Sequence, residues 1–153
     1  QKNPYASIEQ LDLTQKTLPC KFDLVTCIDV LEHIEDDQKA LDNLHAMTGQ
    51  YFLLVVPTGP LFEQERINVG HVHGYSHKEL NEKLSTAGFR VYKEMAWGFP
   101  FYTLYRRLIM NVPENTVSGH FDWKKRLISE ITYWLLFLDL PIWGERYYVL
   151  CHA

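Results

Sequence analysis

The sequence predicts an α/β fold with a parallel pair of strands at its centre. Two runs carry this, FDLVTCI (22–28) and YFLLVV (51–56), both apolar at nearly every position, as strands covered on both faces are. Between them lies a segment with helical periodicity, and strand–helix–strand order calls for a parallel pair joined by a right-handed crossover. Further on, another helix precedes FRVYKEM (89–95), and RYYVLCH (146–152) closes the alternation.

Taken in order, IEQLDL (8–13) reads as a short strand ending at an acid, and Pro19 and Lys21 mark a loop before FDLVTCI. The first helix has Asp36 as its N-cap and Asp37 in its first turn, where negative charge is favoured. Ala40, Leu41, Leu44 and Met47 form its apolar stripe, and Gly49 ends it. YFLLVV stops at Pro57, and a long loop runs from 57 to 74. In YSHKEL, Ser76 and Glu79 have capping-box spacing, while Tyr75 and Leu80 are placed for a hydrophobic staple. Leu80, Leu84 and Ala87 face inward, Gly88 closes the helix, and FRVYKEM alternates as a half-covered strand does.

The connection 97–145 is unusually long. FYTLYRRLIM sets Phe101, Leu104, Tyr105, Leu108 and Ile109 on one face, and the C-terminal half of DWKKRLISEITYWLLFLDL is apolar all round. Such helices must be buried somewhere. They form either a packed cap, a lid over a greasy substrate, or a surface for a membrane or partner. Arg106, Arg107, Lys124, Lys125 and Arg126 either anchor phosphate or an anionic lipid surface, or are solvated helix faces.

The bulk numbers restrict function. The chain has 153 residues, one domain's worth, with 46% apolar and 22% charged residues. A net charge of −4 argues against nucleic acid as a partner. Cys20, Cys27 and Cys151 form no C-x-x-C pair, which suits reduced thiols and a cytoplasmic location. The longest apolar run, YWLLFL (133–138), is too short to cross a bilayer.

Asp29, Glu32 and His33 in DVLEHIEDD can ligate a metal, supply a general base, or open a helix. Histidine titrates near operating pH, so His33 is a candidate base for deprotonating a hydroxyl. H-V-H puts His71 and His73 on one side of an extended segment, whereas His77, in the first helical turn, is expected to face solvent.

Three stretches in this order, FDLVTCIDVLEHIEDD, YFLLVVPTGP and GHVHGYSHKELNEKLSTAGFRV, resemble the C-terminal two thirds of a class I S-adenosylmethionine-dependent methyltransferase of the small-molecule branch. The likeness covers residues 8–96, and 97–145 corresponds to a variable insertion. It implies a Rossmann-like sheet of order 3-2-1-4-5-7-6 with strand 7 antiparallel, of which this chain supplies strands 3, 4, 5, 6 and 7. The first glycine is Gly49 and no G-x-G precedes a strand. A single incomplete domain (1–153), inactive on its own, is therefore expected, with strand 4 as an unpaired apolar edge inviting a homodimer.

By the same resemblance, S-adenosylmethionine is the cofactor, contacted by Asp12, Leu13, Ile28 and Asp29. His33 and His71 are the catalytic candidates, and Glu32, His73 and Tyr75 the substrate-binding ones. Metal-free transfer to a small, lipophilic acceptor is the expected reaction. Asp29, Glu32 and His33 also echo a pattern that holds a divalent metal in some methyltransferases, a metal-assisted alternative. From a different class comes a non-catalytic module that pairs through the strand edge or the 97–145 helices. Lipid or membrane-surface contact through 97–145 is a further expectation.

Overall fold

A computed structural model describes residues 6–109 and 122–153. Strand β1 (Phe22–Ile28) leads through a 3-10 turn (Leu31–His33) into α1 (Asp37–Met47), followed by β2 (Thr48–Pro57). Helices α2 (Glu63–Asn68) and α3 (His77–Thr86) precede β3 (Arg90–Trp97). Then come α4 (Phe101–Ile109), α5 (Trp123–Leu136) and β4 (Arg146–His152).

The sheet order is β1-β2-β4-β3. β1 runs parallel to β2, with Cys27 opposite Leu54, and β4 is antiparallel to both of its neighbours. In the expected numbering this is 4-5-7-6 with the antiparallel strand seated third. Helices α1 and α3 cover one face of the sheet, joined to it by a core that includes Leu41, Leu44, Phe52, Leu54, Leu80, Leu84, Tyr147 and Val149. Local chemistry sets the helix starts as anticipated. Asp36 Oδ1 accepts the Lys39 N–H at 3.1 Å, and Ser76 Oγ accepts the Glu79 N–H at 3.2 Å.

Four expectations require correction. Residues 8–13 form no strand: Asp12 Oδ1 takes the Thr14 N–H and hydroxyl at 2.9 and 2.7 Å and turns the chain there. No described strand offers 8–13 a ladder, and a strand without one is not stable. β1 is covered on one face rather than two, leaving Leu24 54% and Ile28 49% exposed. Gly49 lies inside β2, because α1 already ends at Met47 where Thr48 turns extended. The 57–74 loop contains α2, a polar helix with no apolar periodicity to reveal it.

No helix among the described residues is long and apolar enough to cross a membrane.

Candidate functional site

A cleft of about 340 Å³ opens where the carboxyl ends of β1 and β2 meet the insertion. In open α/β sheets this end is where ligands bind. Asp29 closes β1 with a left-handed backbone (φ 51°), its N–H donating to Val55 O at 3.0 Å. Its carboxylate is ion-paired with Arg146 at the start of β4, so both strands meet at one lip of the cleft.

The 3-10 turn delivers Glu32 and His33. The Glu32 carbonyl accepts the N–H groups of Val72 and His73 at 2.8 and 3.3 Å, which clamps the 70–73 loop onto the turn. Gly70 makes this possible with a positive φ of 79°, costly for other residues, and its carbonyl faces His33 Nδ1 at 3.2 Å. A carbonyl only accepts, so Nδ1 is the donor, and in the neutral tautomer that this selects Nε2 keeps the lone pair. The His33 and His71 rings meet edge to face with centroids 4.8 Å apart.

Glu32 is 1% exposed, yet among the described residues neither carboxylate oxygen has a hydrogen-bond partner, and neither has His71 Nδ1. His71 Nε2 lies 4.0 Å from Glu32 Oε1. Burial pushes the Glu32 carboxyl above the usual range and pushes His71 below its own, with Glu65 opposing the latter. The outcome is a neutral imidazole beside a reluctant carboxylate. Ligand atoms of Glu32, His33 and His71 all lie within 4.8 Å of one another.

The insertion forms the roof of the cleft. Tyr102, Tyr105 and Arg106 of α4 line it, and a buried ion network fastens the helix there. Arg106 donates through Nε and a terminal nitrogen to the two Glu65 oxygens at 2.8 and 2.9 Å. Its other terminal nitrogen reaches Thr58 O at 2.8 Å and Glu145 Oε2 at 3.0 Å. Arg107 holds Glu145 Oε1 from the opposite side at 2.7 Å. Arg106 is thus buried and spent on carboxylates rather than on a phosphate, whereas Arg107 holds Glu145 from a side chain that stays 56% exposed.

Of the expected site residues, Asp29, Glu32, His33 and His71 gather at the cleft. Asp12, Leu13 and Ile28 lie outside its lining. Asp12 and Ile28 are solvent-exposed and Leu13 is half-buried, with the Leu13 carbonyl accepting Asn43 Nδ2 at 2.6 Å. The Thr14 hydroxyl holds the Asp12 carboxyl below its ordinary pKa, so it is an ionised acceptor. His73 points elsewhere, its Nε2 bound to the carbonyls of Ile34 and Glu35 at 2.9 and 3.2 Å. Tyr75 is fully buried, its hydroxyl donating to Asp37 Oδ2 at 2.9 Å, and presents no surface to a substrate. His77 is half-buried and stacked on Tyr147 rather than facing solvent. Of the Asp29–Glu32–His33 set, Glu32 and His33 gather with His71, while the Asp29 carboxylate is ion-paired with Arg146. Sequence reasoning missed Arg146, Tyr102 and Glu65, whose partners are distant in the chain.

Strand order, strand direction and cleft position together define the C-terminal part of a class I methyltransferase sheet. Residues 2–94 match the family of methyltransferase domains, and the chain belongs to that family. No curated protein matches it significantly. Among solved structures, a Bacillus halodurans C-125 protein assigned as a methyltransferase is 18% identical with a TM-score of 0.56, over 94% of this chain and 69% of that one. An S-adenosylmethionine-dependent methyltransferase of Mesorhizobium loti is 14% identical, TM-score 0.56, over 99% and 72%. One from Archaeoglobus fulgidus is 17% identical, TM-score 0.51, over 95% and 66%. These likenesses carry the fold, and the chain spans about two thirds of each of these proteins.

Proposed function

We propose that this chain forms the acceptor side of an S-adenosylmethionine-dependent methyltransferase acting on a small, lipophilic molecule. The observation that supports it most is the convergence of Glu32, His33 and His71 at the β1 end of a cleft roofed by Tyr102 and Tyr105. When bound, the cofactor supplies an electrophilic methyl on a sulfonium, and transfer then needs alignment above all. By the family likeness, Asp12, Leu13, Ile28 and Asp29 would contact it. Asp12 is an ionised acceptor suited to an exocyclic amine, and Ile28 and Asp29 are exposed at the β1 terminus. His33, with Nε2 unprotonated, takes the proton from an acceptor hydroxyl, and neutral His71 stands beside it as the second base. The tyrosines hold a ring-bearing acceptor.

Two measurements test this. Calorimetric titration of S-adenosylmethionine into the 153-residue chain and into one extended upstream is expected to give binding in the extended form. Binding by neither contradicts the reading. With phenolic acceptors, His33→Ala should lower the methyl-transfer rate by about 100-fold or more; unchanged rates in both His33→Ala and His71→Ala would remove the base.

A second reading is supported by the partnerless Glu32 oxygens and His71 Nδ1. Glu32, His33 and His71 would hold a divalent cation that polarises the acceptor oxygen, and two imidazoles with one carboxylate suit manganese or zinc better than magnesium. Manganese binding abolished by Glu32→Gln is the expected result; no binding by the parent chain ends this reading.

A further inference from the structure

Helix α5 is amphipathic and turned outward. Its half-buried residues are Lys125, Thr132 and Leu136, a single stripe packed towards α4. At 100° per residue, Trp123, Leu127, Ile128, Ile131, Trp134 and Leu135 fall on an arc of about 140° on the other side. Every one of these is exposed, Trp134 by 68%. The surface continues past the helix through Phe137 and Ile142, the latter 77% exposed. The orientation is fixed at its far end, because buried Asp139 accepts the N–H groups of Phe101 and Tyr102 at 2.7 and 3.0 Å and so caps α4.

We propose that this face lies in the plane of an anionic membrane surface. Three observations select lipid as the occupant. Lys125 lies on the stripe packed towards α4, whereas Lys124 and Arg126 are exposed and meet one acid within the helix, Glu130, with Asp122 engaged as the N-cap, although the chain as a whole carries −4. They occupy its first turns, where the helix dipole disfavours cations, so helix stability does not account for them. Trp123 is exposed beside them and Tyr133 and Trp134 about two turns further along, and tryptophan and tyrosine favour the headgroup level, where an apolar body and a polar tip are both satisfied. Glu130 competes weakly, since its bond to Arg126 is an exposed i,i+4 pair at 3.2 Å. A 14-residue helix spans about 21 Å, too short to cross a bilayer and long enough to lie on one. The inference does not depend on the reaction catalysed.

The test is co-sedimentation of the whole chain with phosphatidylcholine vesicles and with vesicles that also contain phosphatidylglycerol, alongside tryptophan emission. Binding and a blue shift are expected with the anionic vesicles and are expected to weaken in high salt. Trp134→Glu should reduce partitioning at least tenfold, and Lys124→Glu with Arg126→Glu should do the same, since each basic residue near the surface is worth about 1 kcal/mol. All three positions are solvent-exposed, so circular dichroism is expected to be unchanged. The proposal is overturned if neither vesicle binds, or if binding is indifferent to both variants. It is equally overturned if the parent chain forms a dimer that Trp134→Glu dissolves while lipid has no effect, because a second copy then covers the face.

Discussion

Burial holds the His77 imidazole below its ordinary pKa, with Glu94 opposing, while the ring stacks on Tyr147 at 4.1 Å. The unfolded chain therefore binds a proton that the folded chain resists. Stability is fully present above about pH 6.5 and is lost as pH falls towards the depressed folded value. His77→Phe keeps a ring for the stack and removes the titration, so its urea midpoint is expected to vary less with pH below 6.5 than that of the parent. Thiols behave comparably: burial pushes Cys27 and Cys151 up to about 12, whereas Cys20 is exposed. A thiol reagent at neutral pH should label one cysteine quickly and two only on unfolding. Single residues were legible where their chemistry is local. Asp36 and Ser76 cap because each reaches a backbone N–H three residues on. His73 and Tyr75 were not legible, because the carbonyls of Ile34 and Glu35 and the Asp37 carboxylate that bind them lie some 40 positions back.

At the scale of elements, α4 is held over the cleft by charge more than by apolar contact. Leu104 and Leu108 are exposed, while Arg106 is buried between two carboxylates. Arg106→Met leaves Glu65 and Glu145 buried with a partner missing and should cost about 3–5 kcal/mol, read from urea unfolding. Adding Glu65→Gln should restore part of that loss, the sign of a coupled pair. Ser76→Ala should cost about 1 kcal/mol by the same measurement, through the lost cap of α3. The contrast explains what the sequence could reveal. α1 and α3 announce themselves through apolar periodicity, whereas α2 has none, and its ion-paired Glu65 meets Arg106 41 positions away.

Across the whole molecule, strand order and direction were readable from the alternation of strands and helices together with a family likeness, but coverage was not. FDLVTCI is apolar enough for a strand with two covered faces, yet α1 shields only one, and among the described residues β1 has a neighbour on one side alone. An apolar edge of this kind seeks a strand. The chain is expected to self-associate in sedimentation velocity at high concentration, and Leu24→Lys, at an exposed edge position, should suppress it. Self-association that survives Leu24→Lys would locate the contact elsewhere.

The seat of β4 between β2 and β3 has a consequence for synthesis. Both neighbours leave the ribosome before it, and everything from Gly98 to Glu145 must follow before Arg146–His152 arrives to zip them together. Until then β3 has no rung to either of the earlier strands. A nascent chain arrested anywhere short of Arg146 therefore holds two disconnected pieces of sheet, and trimming the last strand would split the sheet rather than shorten it.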